Sequence, residues 1–321
     1  MKKLIIALFL FLCCSGMAGA AQPPSDTNQV QIIWAATNHW PSTVWVYKVV
    51  PQNFAPAVVS NLMAFGGFTM ANRTNIEGRP PFKDQQLLFL SNQERTRYAG
   101  VFPPVGLMYY NDLKAQASGR QIATNVPSQE EVIQLGLENL QKLGIDRDQL
   151  AIKENSAELR TARNEQSSSW LDKIRGTNFE QTTSRGIFFI RRINGIDFDG
   201  ITHGGVKIEF GNYGKVARLK VNWKGLEPYK LHNTLTAGQM VEAIHKGKAS
   251  WWSPSPDPRQ IKKITVTKAT PLYRGILEED EESKFLEPYV QLDTIVDYGQ
   301  TNIAASLECP IIETSISMEN H

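Results

Sequence analysis

GVKIEFGNYGKVARLKVNW, residues 205–223, is the stretch on which the architecture turns. Val206, Ile208 and Phe210 alternate with Lys207 and Glu209, Gly211-Asn212-Tyr213-Gly214 turns the chain, and Ala217, Leu219, Val221 and Trp223 then alternate with Arg218, Lys220 and Asn222. A period of two on both sides of a glycine-bounded turn reads as a β-hairpin with one apolar face. Residues 292–309, LDTIVDYGQTNIAASLEC, repeat the plan, with Tyr298-Gly299 standing where the first unit has Tyr213-Gly214.

A marked helix start lies ahead of each hairpin. Ser128-Gln129-Glu130-Glu131 is a capping box followed by Ile133, Leu137 and Leu140 at helical spacing, with Gln134 facing out and a glycine stop at Gly144. Thr236-Ala237-Gly238-Gln239 is a second box; Leu235 can staple onto Met240, and Val241 and Ile244 continue the buried stripe. Strands are expected over 157–163, 187–193, 206–210 and 216–223 in the first unit, and over 261–272, 289–297 and 301–309 in the second. One helix laid across an antiparallel sheet buries one face and leaves the other wet, so the expected class is α+β, with each sheet covered by a helix.

The N-terminal part reads as a third module. Residues 44–50 form a strand stopped by Pro51, and Asn53 caps a helix carrying Val58, Val59, Leu62 and Met63 that ends at Gly66-Gly67. Residues 87–90 and 106–110 read as strands, and the polar stretch 114–127 reads as a linker. Residues 164–185, with Ser167-Ser168-Ser169 and few apolar side chains, read as a mobile excursion between strands. The expected division is a signal peptide over 1–20, an N-terminal α+β module over 21–125, and two repeats over 126–233 and 234–321.

The first twenty residues, MKKLIIALFLFLCCSGMAGA, carry two lysines, an apolar run and small residues at Ala18 and Ala20, the order of a secretory signal peptide. The run is far shorter than the ~20 residues of a membrane span. Lipidation at Cys13 or Cys14 would need a small residue ahead of the cysteine, where Leu12 and Cys13 stand. Cleavage near Ala21 removes two lysines and no acid, so 34 basic residues become 32 against 32 acidic ones. A mature chain with no net charge has no global attraction to nucleic acid or anionic lipid. Cleavage also leaves Cys309 as the one cysteine, so neither an intramolecular disulfide nor a cysteine zinc site is expected.

Phe188-Phe189-Ile190-Arg191-Arg192-Ile193-Asn194-Gly195-Ile196, then Gly204-Gly205-Val206-Lys207-Ile208-Glu209-Phe210-Gly211 and the turn to Val221-Asn222-Trp223, resemble PepSY-like domains of secreted bacterial proteins. The resemblance covers residues 128–321 in two copies, the second lacking the Arg-Arg and Asn-Gly elements. It implies cystatin-like repeats and a non-catalytic, binding or regulatory role, and carries over no catalytic residue.

Neither a G-x-S-x-G nor an H-E-x-x-H motif is present, and His39, His203, His232, His245 and His321 are scattered. His203, in the small-residue loop Thr202-His203-Gly204-Gly205, is the candidate around which an extracytoplasmic hydrolase site would have to form; a lone loop histidine is otherwise a surface residue. Asp197-Phe198-Asp199-Gly200 has part of a calcium loop without its remaining ligands. The run Glu278-Glu279-Asp280-Glu281-Glu282 reads as a solvated loop. In Trp251-Trp252-Ser253-Pro254-Ser255-Pro256, one tryptophan is expected to close the core and the other to offer a partner contact, so Trp251 and Trp252 are the candidate binding residues, with Trp40 a weaker one. The expectation is a secreted, periplasmic or envelope-associated binding protein for a protein or peptide partner. It needs no cofactor or metal, binds no nucleic acid and has no membrane span after cleavage. A structural envelope subunit is the further alternative.

Overall fold

The hairpin sits where its alternation requires. In the computed structural model, which describes residues 30–37, 39–73, 88–117, 121–154, 156–172, 176–200, 204–251, 260–274 and 285–313, strand β10 (Gly205–Phe210) pairs antiparallel with β11 (Val216–Asn222), from Gly205 opposite Asn222 to a bulge at Glu209/Phe210. Tyr213 takes a left-handed conformation at φ 58° in the turn. Val206, Ile208, Phe210, Ala217, Leu219 and Val221 are buried, as is Trp223 just past the strand. The expected cleavage site, Cys13, Cys14, His203, Trp252, the acid run 278–282 and His321 lie outside the described residues.

The chain divides into two compact units that interleave in sequence: Met1–Ser42, Thr234–Thr270 and Tyr289–Glu313 form one, and Thr43–Asn233, Pro271–Pro288 and Thr314–His321 the other. In the second, β3 (Leu88–Ser91), β4 (Arg97–Phe102), β5 (Leu107–Asp112), β11, β10, β7 (Thr177–Ile190) and β6 (Thr161–Asp172) form a seven-stranded sheet in that order. Helices α1 (Pro56–Gly66) and α2 (Gln129–Leu143) pack on it. The same unit has a three-stranded sheet in the order β12 (Gly225–Asn233), β2 (Thr43–Val50), β15 (Phe285–Leu286). A short hairpin of β8 (Arg192–Ile193) and β9 (Ile196–Phe198) turns at Asn194 and Gly195, with φ of 48° and 80°, and β9 pairs with Leu272 and Tyr273.

In the first unit β16 (Pro288–Asp297) and β17 (Asn302–Pro310) are the second hairpin, with β13 (Ser250–Trp251) on β17. On the other side of β16 runs β14 (Lys263–Tyr273), which belongs to this unit up to Thr270 and takes β1 (Gln31–Trp34) as a parallel neighbour. Helix α3 (Ala237–His245) packs on β17 and β1.

Both capping boxes are present: Ser128 Oγ accepts from the Glu131 N–H at 3.2 Å and the Glu131 carboxylate from the Ser128 N–H at 2.7 Å, while Thr236 and Gln239 do the same for α3. The buried face of α2 is rotated from the expected one. Val132, Gly136, Leu140 and Leu143 are buried, whereas Ile133 and Leu137 are half-buried. Gly136 explains the rotation, because a Cβ there would stand 2.9 Å from both Ile187 Cγ2 and Phe189 Cζ, so the helix lies down on β7 at its smallest residue.

The α+β class with one helix over each sheet does not hold. The described residues are predominantly β, with three α-helices among them and two of those on one seven-stranded sheet. The reason is a pairing that local pattern does not encode: β5 adds to β11, Arg218 opposite Asn111 through to Asn222 opposite Leu107, and joins strands expected in a separate N-terminal module to the hairpin's sheet. Residues 125 and 126 both lie within the second unit, while Asn233 and Thr234 are at a junction between the units. Of the polar stretch expected as a linker, Ala115, Thr124 and Pro127 are tied to the sheet's strands and turn. The Ala115 carbonyl accepts from Asn212 N–H at 2.7 Å, Thr124 N–H donates to Asn212 Oδ1 at 2.9 Å, and Pro127 O accepts from Arg185 at 2.7 Å.

Trp223 ends the inward series and is 9% exposed, beside Gly106, whose φ of 62° and closeness to Lys224 Cα admit no side chain. Replacing Trp223 with alanine is expected to lower stability by about 3–5 kcal/mol. Denaturant melts check this, and a loss under about 1 kcal/mol would mean that the indole contributes no core packing.

Candidate binding surface

Of the stretch expected as a mobile excursion, residues 164–172 and 177–185 are instead the two strands of a ribbon. Strands β6 and β7 pair from Thr161 opposite Phe189 to Asp172 opposite Thr177, but β10 accompanies β7 only from Arg185 to Ile190. Beyond a bulge at Gln166/Ser167 the ribbon continues past β10. Gln181 steadies one side of it, accepting from Ala123 N–H at 2.8 Å and donating to Gln121 O at 2.6 Å. Glu165 accepts from Thr182 and Arg185, each at 2.7 Å, and these two bonds hold its carboxyl below the usual range. Near the end the Trp170 and Phe179 rings meet in a tilted pair, 4.5 Å between centroids, with Phe179 38% exposed.

β6 is the last strand of its sheet, so among the described residues no strand takes up its outer row of N–H and C=O groups. It contains neither lysine nor proline, and what can guard this edge is limited to Arg163, Glu165, Asp172 and the bulge at Gln166/Ser167. Two strands alone are marginal in water, and the outer half of the ribbon has little else under it.

A second cluster gathers residues that the sequence placed in the Arg-Arg and Asn-Gly elements. Consecutive strand residues face opposite ways, so the two arginines do different work. The Arg192 guanidinium meets Asp197 at 2.6 Å and Arg160 meets the other carboxylate oxygen at 3.0 Å. The Arg191 guanidinium carbon lies 4.6 Å from the Trp223 ring centroid and 5.6 Å from that of Phe198, and Nη1 donates to Lys224 O at 2.8 Å. Burial lowers its pKa to about 10. Asn194 Nδ2 donates to the Tyr47 hydroxyl at 2.6 Å, and burial raises the Tyr47 pKa. Asp197 is thus bound to two arginines, which removes it from any calcium loop.

No family model and no curated protein matches this sequence. Among solved structures, the chain is similar to an uncharacterized protein from Eubacterium rectale ATCC 33656, at 11% identity over 87% of this chain and 86% of that one, with a TM-score of 0.46.

Of the expected contact pair, Trp251 is 2% exposed in β13 opposite Leu307, so it is the tryptophan that closes the core and it is not available to a partner. Trp40 is half-buried, donating to Leu235 O at 3.2 Å with its ring 5.7 Å from Trp34. His39 lies in a loop, His232 on β12 and His245 at the end of α3; no group of three or more His, Cys, Asp or Glu able to hold a metal occurs among the described residues. No helix among them is long and apolar enough to cross a membrane. The alternation gave no warning that Glu209, on the polar side of the hairpin, is fully buried; Lys207 meets it at 2.5 Å and Arg218 at 3.7 Å. A shallow polar depression lies near the β3–β4 turn, with Arg97, Asp112 and the Glu94–Lys114 ion pair in its wall.

Cys309 is buried on β17, and burial pushes its thiol up to about 12, so at neutral pH it is protonated and sealed. Thermal unfolding with and without reductant is expected to coincide, and a thiol reagent should react only on unfolding. A midpoint that falls on reduction would reveal a disulfide between chains.

Proposed function

We propose that this is an exported, non-catalytic binding or regulatory protein, and that it engages a protein partner by adding an extended segment of that partner to the outer edge of β6. The observation that carries the reading is the twelve-residue edge strand, free of lysine and proline and continuing beyond its sheet into a ribbon with an aromatic pair near its end. Main-chain hydrogen bonds along such an edge supply affinity, and Trp170 with Phe179 supplies an anchor of large contact area and small entropy loss. Export rests on the order of charged, apolar and small residues over 1–20, and the regulatory role on the PepSY-like resemblance of the strands around Arg191 and Trp223. Trp252 remains a proposed contact.

Hydrogen exchange on the complex captured from envelope extract by cross-linking is the test. The outward amides of β6 are expected to gain protection, and the Trp170→Ala, Phe179→Ala double variant to bind roughly thirtyfold or more weakly, the loss of one hot-spot anchor. Protection confined to other elements, with affinity unchanged in the double variant, would rule the reading out.

A further inference from the structure

The cluster at Arg191 has a charge imbalance that strand addition does not use. Asp197 gives both of its oxygens to Arg160 and Arg192, while Arg191 turns the other way, toward Trp223. Arg191 is left without a carboxylate among the described residues. Its guanidinium carbon lies against the Trp223 and Phe198 rings, and among the described residues its side chain makes one hydrogen bond, to the carbonyl of Lys224. A guanidinium has five N–H donors in a fixed fork, and stacked rings hold that fork without using its edge. Charges withdrawn from water are ordinarily paired. The lowered Arg191 pKa has the same physical cause, withdrawal from water without a compensating anion.

A purely bracing role does not account for the charge. An apolar side chain could fill the space between the two rings without the desolvation that a cation brings, and the single carbonyl uses one donor of the five. Arg191 as a whole is half-buried and keeps part of its surface exposed.

We propose that Arg191 anchors a binding site for an oxyanion, a carboxylate or phosphoryl group taken edge-on by the guanidinium while Trp223 and Phe198 hold its plane. The two rings preorganise the fork, and Asp197 keeps the neighbouring arginines from competing for the same ligand.

Phosphate and acetate are titrated separately into the mature protein, against chloride at equal ionic strength, with the melting temperature and the heat of binding recorded. One of the two oxyanions is expected to raise the melting temperature saturably where chloride does not, and which one does so assigns the ligand as phosphoryl or carboxylate. Arg191→Lys, which keeps the charge and loses the fork, should weaken the effect roughly tenfold or more, whereas Lys142→Gln, at an exposed position on α2, should leave it unchanged. If Arg191→Lys does not fold, a crystal of the unaltered protein grown with the active anion decides the matter, with density expected within hydrogen-bond distance of Arg191. Responses to phosphate and acetate no larger than to chloride, or a response that Arg191→Lys retains in full, would overturn the proposal.

Discussion

The antiparallel pairing of β5 with β11 is the constraint on which the larger unit depends. It sets Tyr110 opposite Leu219 and Met108 opposite Val221, and so joins the strands from the N-terminal part to the hairpin in one continuous apolar face. A face of seven strands is too wide for one helix, and α1 and α2 share it, with Leu62, Leu140 and Leu143 reaching one core together with Leu90, Phe189 and Phe210. Slipping this register by one residue would send Met108 and Tyr110 to the other side of the sheet and divide the core. The tie at 114–127 follows from the same pairing, since the chain leaving β5 passes beside the hairpin turn and bonds Asn212 there.

The Arg-Arg and Asn-Gly elements gain their meaning from the same corner of the unit. Gly195 and Asn194 make a tight turn whose amide reaches Tyr47, Arg192 closes on Asp197, and Arg191 turns to the opposite side to lie against Trp223. Trp223 is thereby both the end of a core series and one wall of a cation site. The two roles are compatible because a large aromatic ring can bury one part of its surface and present another to a cation. The β6–β7 ribbon is the converse case, with backbone pairing formed where little core lies beneath it.

What the sequence determined by itself is what short-range chemistry determines. The two hairpins, both capping boxes, the glycine stops of α1 and α2, the inward place of Trp223 and the isolation of Cys309 follow from alternation, caps and residue counts, each complete within a few residues along the chain. What only the tertiary structure decided depends on partners distant in sequence. Trp251 and Trp252 are equivalent as a sequence pair, and β17 is what buries Trp251. Residues 164–172 and 177–185 have the polar composition of a loop, and become a ribbon because the two segments pair with each other. Glu209 is indistinguishable from a solvated strand residue until neighbouring strands enclose it with Lys207 and Arg218. The physical reason is common to all three: alternation specifies which side of a strand a residue faces, while burial, pairing and charge balance are properties of whatever the fold sets beside it.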